Sequence, residues 1–341
     1  MSSDSQLRAP DEVILIRGAP FNRHCRIDVQ DGFDPPRFVL SGTASFLPYV
    51  PELLSRARQL WLSPRRGLKP LPMRRLPVIN YLADADIYEV ALRKADLIVQ
   101  QLRKPAFNAP AAVLRTGRDE VAKGLSGVEG VCMPRTIRTP APHPEALGRT
   151  IAVEGLNFPL LIRPVGAHGG DDMIKVDRPE DLQAAKIRFG NELVYVTEFV
   201  DFADADGLYR KHRVVVVGDQ IFLRHVIIGE SWLLHASRRT QNTEAEEQAA
   251  LAAFAEQTAP AIRSSVMAVA EALSLDYFGI DCSLRPDGSL LVFEANACMN
   301  VLHNDAPSPS MWEEPIAAIV AALRELLANP GRWRGQPAAA A

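Results

Sequence analysis

Leu275–Val301 reads LDYFGIDCSLRPDGSLLVFEANACMNV. Two apolar runs flank Pro286-Asp287-Gly288, a turn sequence in which proline presets φ and glycine supplies a left-handed position. Asp281, Glu294 and Asn296 interrupt those runs. Glu294 and Asn296 are two apart and share one face of their strand. Whether Asp281 joins them depends on the turn. A two- or four-residue loop sets Asp281 across from Glu294, whereas a three-residue loop with Gly288 as a bulge puts them on opposite faces. In the even case two carboxylates and an amide oxygen meet on rigid strands, a hard-oxygen set suited to Mg²⁺ and, through it, to phosphates. The plainer reading of the same pattern is the solvent face of an amphipathic hairpin.

Upstream, Phe158–Val176 (FPLLIRPVGAHGGDDMIKV) carries Arg163 on an apolar strand and then breaks into Gly166-Ala167-His168-Gly169-Gly170-Asp171-Asp172. Glycines at this density can turn successive N–H groups inward as an anion nest, with Arg163 adding charge; a glycine-rich hairpin is the plainer alternative. No Walker A loop and no G-x-G-x-x-G fingerprint occurs in the chain. Between the two stretches lie VYVTEFVD (Val194–Asp201), a strand ending in Glu198 and Asp201, and Lys211-His212-Arg213 opening a strand whose neighbour carries Arg224 and His225. Such arginines suit phosphate or carboxylate clamping, though a solvated edge explains any one of them.

Around these motifs the chain divides in two. Strands are expected over 13–18, 38–42, 77–82 and 131–137, and helices over 51–61, 86–102 and 110–125, the alternation of an α/β domain. Thr139–Pro144 holds three prolines in six residues and reads as a hinge. Beyond it come a helix (144–155), strands over 160–165, 173–176, 193–200, 212–217 and 220–228, an alanine-rich helix (244–273), the hairpin above and a closing helix (311–327). Short turns such as Gly218-Asp219 mark antiparallel pairing. The expected division is a disordered 1–10, an α/β domain over 11–138, two α+β lobes over 139–328 and a flexible tail over 329–341.

The 341 residues are 47% hydrophobic and 23% charged, which excludes wholesale disorder, and a net charge of −3 gives no global attraction to nucleic acid or anionic lipid. Arg56, Arg58, Arg65, Arg66, Lys69, Arg74 and Arg75 form a local cationic run with Trp61 as its one aromatic residue. A solvated face or an anionic-substrate entrance accounts for it better than nucleic acid. Cys25, Cys132, Cys282 and Cys298 stand far apart, without a C-x-x-C pair, so a reducing, cytoplasmic setting is expected. Neither a signal peptide nor a membrane span is read.

In order along the chain, Arg163 with the glycine loop, Glu198-Phe199-Val200, Arg213, Asp281 and Glu294-x-Asn296 resemble the ATP-grasp pattern, nearest the branch of glutathione synthetases and the ligases that add glutamate to ribosomal protein. The likeness covers about Pro110 to Val301. It implies two α+β lobes gripping ATP behind a smaller α/β domain. It also implies an ATP- and Mg²⁺-dependent carboxylate–amine ligase that works through an acyl phosphate and releases ADP and phosphate. By resemblance, Glu198, Phe199 and Val200 would hold adenine and Asp201 the ribose. Arg163, His168, Gly169 and Gly170 would hold phosphates, and Arg213 and Arg224 would act on the transferred group. Asp281, Glu294 and Asn296 would bind two Mg²⁺ ions, with Mn²⁺ as an alternative. Two departures stand out. Arginine replaces the usual lysine at 163, and Arg118-Asp119 is followed by Glu120 where a second lysine is usual, leaving Lys123 or Arg118 to substitute. The implied partners are small-molecule or peptide carboxylates and amines, without nucleic acid or membrane, and a homo-oligomer is compatible. A peptide-modifying ligase or macrocyclase and a non-catalytic ATP-binding module are the alternatives.

Overall fold

The computed structural model describes residues 13–22, 24–30, 35–68, 75–167, 170, 172–185, 187, 190, 192–234, 243–304 and 306–337; the expected disordered segment 1–10 lies outside them. β1 (Val13–Gly18) is apolar and buried along nearly its whole length, as a strand inside a parallel sheet must be. A hairpin of β2 (Ile27–Gln30) and β3 (Arg37–Leu40) follows, then α1 (Glu52–Arg56) and β4 (Ala57–Leu62). The helix expected over 51–61 is thus half strand. Ala57–Leu62 pairs in parallel with all of β1, and that pairing overrides the helical preference of Arg58, Gln59 and Leu60. β5 (Val78–Asn80), α2 (Ala85–Leu102) and β6 (Ala106–Phe107) complete a parallel sheet of order β4-β1-β5-β6. The Asp84 carboxylate caps α2 by accepting from the backbone N–H groups of Asp86 and Ile87 at 2.8 and 3.2 Å.

The helix expected over 110–125 is two, α3 (Pro110–Val113) and α4 (Arg118–Leu125). The strand expected over 131–137 is also two, β7 (Val131–Cys132) and β8 (Thr136–Pro140), in different sheets. The chain crosses between lobes at Met133–Arg135, where Pro134 lacks the donor a continuous strand needs, rather than at Thr139–Pro144.

The middle lobe comprises β8, α5 (Pro144–Glu154), β9 (Leu160–Pro164), β10 (Ile174–Val176) and β11 (Leu193–Glu198), with an antiparallel sheet of order β10-β9-β11-β8. Next come β12 (Tyr209–Val217), β13 (Gln220–Gly229), α6 (Glu244–Ala253), α7 (Ala259–Leu273), β14 (Tyr277–Leu284), β15 (Leu290–Asn296) and α8 (Glu313–Leu327). Their sheet has order β13-β12-β14-β15-β7 and is antiparallel except where β7 joins β15. The long helix expected over 244–273 is divided by a π-helical turn at Phe254–Thr258, just before Pro260, which has no N–H for the helical ladder.

The first domain and the last lobe share one hydrophobic core that includes Leu15, Ile79, Phe107, Val215, Ile280 and Leu323. The middle lobe has its own, around Leu147, Ile151, Leu160, Ile162 and Val196. The tail also departs from expectation, because Trp333 is only 1% exposed and stacks edge-on against Phe107. Its Nε1 donates to the Leu326 carbonyl at 2.7 Å, and the Ala106 N–H donates to the Gly335 carbonyl at 2.8 Å. One large aromatic anchors a segment whose composition reads as loose. No helix among the described residues is long and apolar enough to cross a membrane.

Candidate active site

The β14–β15 hairpin turns through an odd loop. Arg285 N–H donates to the Ser289 carbonyl at 2.9 Å, enclosing Pro286-Asp287-Gly288. Gly288 sits at φ +80°, where a Cβ would also lie 2.6 Å from the Ala261 carbonyl oxygen, so glycine is required twice over. Such a loop by itself sets Asp281 and Glu294 on opposite faces. A bulge reverses that parity: Cys282 pairs with Val292, but Asp281 pairs with Glu294, leaving Phe293 as the extra residue. Two single-residue offsets cancel, and Asp281, Glu294 and Asn296 share one face.

β12 lies alongside with Arg213 directly opposite Asp281. Arg213 Nε and Nη2 donate to Asp281 Oδ1 and Oδ2 at 2.7 and 2.9 Å, and its Nη1 reaches the Asn300 carbonyl at 3.0 Å. Arg118, at the start of α4, donates to Glu294 Oε1 at 2.5 Å, and Asn296 Nδ2 donates to the same oxygen at 2.7 Å. Burial pushes the Asp281 carboxyl up, but Arg213 and Lys211 outweigh it and hold it well below the carboxylate range. Glu294 is likewise raised by burial yet brought down to about 2 by Arg118 and Arg163. Arg163 is itself lowered to about 10, first by burial and then by the charge of Arg118. Both carboxylates are therefore ionised, inside a cluster where cations are in excess.

The middle lobe supplies the opposite wall. Thr136, Thr197 and Leu161 stand in one cross-strand row, and Arg138, Tyr195 and Arg163 in the next row on the same face. Between this sheet and the β12–β14–β15 face lies a cavity of about 210 Å³. Its apolar part is lined by Met133, Leu161, Phe199, Val200, Phe202, Trp232, Val292 and Phe293, and its charged part by Arg118, Arg163, Lys211, Arg213, Asp281 and Glu294. Phe199 packs edge-on against Trp232 at 5.6 Å, and Lys175 Nζ lies 4.4 Å from the Phe199 ring centre. A smaller pocket of about 20 Å³ adjoins it, lined in part by Asp84, Asp86, Arg118, Asn296 and Cys298.

The structure brings Arg163, Gly170, Glu198, Phe199, Val200, Arg213, Asp281 and Glu294 to the cavity, and Asn296 to the smaller pocket. Glu198 Oε1 accepts from both Asn157 N–H groups, backbone and side chain, at 2.8 and 2.9 Å. Arg163 donates to the Ala167 carbonyl at the start of the glycine loop. Asp201 is exposed beside the cavity and accepts from the Ala203 N–H at 3.3 Å. Lys123 is on the exposed face of α4, and Arg118 is the residue of that helix that enters the cavity. Arg224 is buried and donates to the Val301 and His303 carbonyls at 2.9 and 2.8 Å, so it holds the loop after Asn296. His168 and Gly169 lie outside the described residues, as do Lys69 and Arg74 of the cationic run. Trp232, Met133 and Phe293 also line the cavity but belong to none of the motifs in the sequence. Phe293 looked like one more residue of an alternating strand, and Trp232 follows a strand with no local signal.

Among the described residues no group of three His, Cys, Asp or Glu side chains could hold a metal; the cluster offers two carboxylates and an amide. No family model matches the chain, and no curated protein matches it. It is similar to the solved RimK domain protein ATP-grasp from Sphaerobacter thermophilus, with 12% identity over 93% of this chain and 98% of that one and a TM-score of 0.48. It is similar to the D-alanine–D-alanine ligase from Bacillus anthracis, with 12% identity over 95% and 97% and a TM-score of 0.48. It is also similar to the ATP-grasp ligase PsnB complexed with precursor peptide PsnA2 and AMPPNP, with 17% identity over 93% and 98% and a TM-score of 0.47. Two of these three solved proteins are described as ATP-grasp proteins.

Proposed function

We propose that this chain is an ATP-dependent ligase that joins a carboxylate to an amine through an acyl phosphate, releasing ADP and phosphate. The observation that carries the reading is the polarity of the cavity. Its apolar slot suits a purine, and its far end sets Arg118, Arg163, Lys211 and Arg213 around Asp281 and Glu294, which suits a polyphosphate. Asp281, Glu294 and Asn296 fit Mg²⁺ by donor chemistry, being hard oxygen ligands on adjacent rigid strands, and Mn²⁺ is the alternative. Bound there, the ion would screen the charge between the phosphates and an incoming carboxylate.

The chain's own residues do the rest. Arg163 and the loop after it hold the phosphates against the middle lobe. Arg213, fixed in place by Asp281, neutralises the phosphoryl group in transit. The apolar walls exclude water, so that the acyl phosphate meets an amine before it is hydrolysed.

Calorimetric titration with AMPPNP, with and without Mg²⁺, tests the reading. Mg²⁺-dependent binding is expected, lost in Glu294→Ala, and justifies screening small-molecule and peptide carboxylates and amines for phosphate release. A folded Glu294→Ala variant that keeps Mg²⁺-dependent binding overturns the metal assignment. Absence of binding by the wild type overturns the nucleotide site.

A further inference from the structure

No described residue of the cationic run over 56–75 lines either pocket, yet the fold gives the run a definite place. It starts at the last residue of α1, passes through β4 and continues into the segment beyond. β4 ends the sheet β4-β1-β5-β6, and no described strand pairs with its outer edge. The Leu62 carbonyl accepts from the Ala19 N–H at 3.0 Å, so Leu62, Leu60 and Arg58 turn their backbone groups toward β1. Alternate residues of a parallel strand bond to opposite sides, and Gln59 and Trp61 therefore present N–H and C=O groups to the open edge. Their side chains are held in place. Arg17 Nη1 donates to Gln59 Oε1 at 3.2 Å, and its guanidinium lies 4.4 Å from the Trp61 ring centre. Trp61 is still 54% exposed. Lys94 Nζ fixes the next segment by donating to the Ser63, Pro64 and Arg66 carbonyls at 2.7, 3.0 and 2.8 Å. That sets Arg65 and Arg66, both exposed, just past the end of the strand.

An open edge with ordered backbone groups is a template for one more strand. Charge decides which strand it takes. Residues 56–75 carry seven basic side chains and no acid, so a second copy would bring like charge to like edge, whereas an acidic strand meets opposite charge. A single-stranded nucleic acid would need aromatic platforms for its bases, and Trp61, stacked on Arg17, is the one aromatic residue of the run. We infer that the outer edge of β4 docks an extended acidic peptide segment of a partner protein. The segment joins the sheet as a fifth strand and lays its carboxylates on the arginines around it. This surface lies outside the nucleotide cavity and does not depend on that reading.

The test is titration of the full chain with a capped peptide of alternating Glu and Val, its Lys–Val counterpart and a single-stranded oligothymidylate, read by calorimetry and by amide exchange. The Glu–Val peptide is expected to bind at low salt and to slow exchange at Gln59 and Trp61, leaving Leu60, already bonded to β1, unchanged. Gln59→Pro removes one outward N–H and spares the bonds to β1, as proline on an edge strand can. It is expected to weaken the peptide by roughly fivefold to tenfold. The double variant Arg65→Glu/Arg66→Glu, on an exposed segment, should weaken it by about tenfold and keeps the test decisive if Gln59→Pro does not fold. No binding of the Glu–Val peptide, equal binding of the Lys–Val peptide, or binding undiminished in the folded variants overturns the assignment. So does binding that leaves the Gln59 and Trp61 amides exchanging as before, or tighter binding of the oligothymidylate. Protection of those amides that grows with protein concentration alone gives the edge to a second copy and overturns it too.

Discussion

Glu294 is the residue on which the charged cluster balances, because Arg118 and Asn296 share one of its oxygens and Arg163 adds a second positive charge nearby. Its carboxyl falls from an ordinary 4.5 to about 2 in the fold. A depressed acid contributes stability that is fully present above its unfolded value and is lost as pH falls through its folded one. The gap in unfolding free energy between wild type and Glu294→Gln should therefore be constant from neutral pH down to about 4.5 and close below it. Urea titrations at stepped pH check this, and a gap that closes above pH 5 would contradict the ion pair. Asp281, Glu294 and Asn296 were legible in the sequence because charged and amide side chains inside apolar strands need partners. The partners themselves were not. Arg118 is separated from Glu294 by 176 positions, and nothing local reports which of 31 arginines would fill that place.

At the scale of the element, the hairpin shows how a correct rule can give half an answer. The Pro286-Asp287-Gly288 turn was readable, and so was its parity, but the compensating bulge at Phe293 was not, since a bulge is set by what the strand must face on both sides. Gly288→Ala forces a left-handed backbone and a clash with Ala261, and it should destabilise the protein by about 1–3 kcal/mol. A shift in the denaturant midpoint with unchanged slope is the expected signature. β4 gives the converse lesson. Arg58, Gln59 and Leu60 are good helix formers, and only their register with Ile14, Leu15 and Ile16 makes them a strand.

Across the whole molecule, the order of an α/β domain and two α+β lobes was legible, whereas the sharing of one core by the first and last parts was not, because packing between distant segments leaves no periodic trace. Where the separate middle lobe meets the first domain, Tyr195 Oη donates to Asp86 Oδ1 at 2.7 Å and Arg138 Nη1 to the same oxygen at 3.3 Å. Tyr195→Phe should therefore loosen the middle lobe, seen as faster amide exchange across β8 and β11 and no change in β1; uniform exchange rates would contradict a separate body. Trp333→Ala should cost about 3–5 kcal/mol, as for other large buried aromatics, and a thermal melt unchanged within a degree would refute the anchoring role. The two cores also dictate an order of assembly. A chain leaving the ribosome N-terminus first completes the middle lobe from the contiguous stretch Ile137–Val196, while the other core still lacks its residues from Val214 to Trp333. The nascent protein thus carries a finished inner module between unfinished outer halves. A translational pause after residue 200 would favour that module, and the first domain, with its core still missing the residues from Val214 on, would be the part that calls on a chaperone.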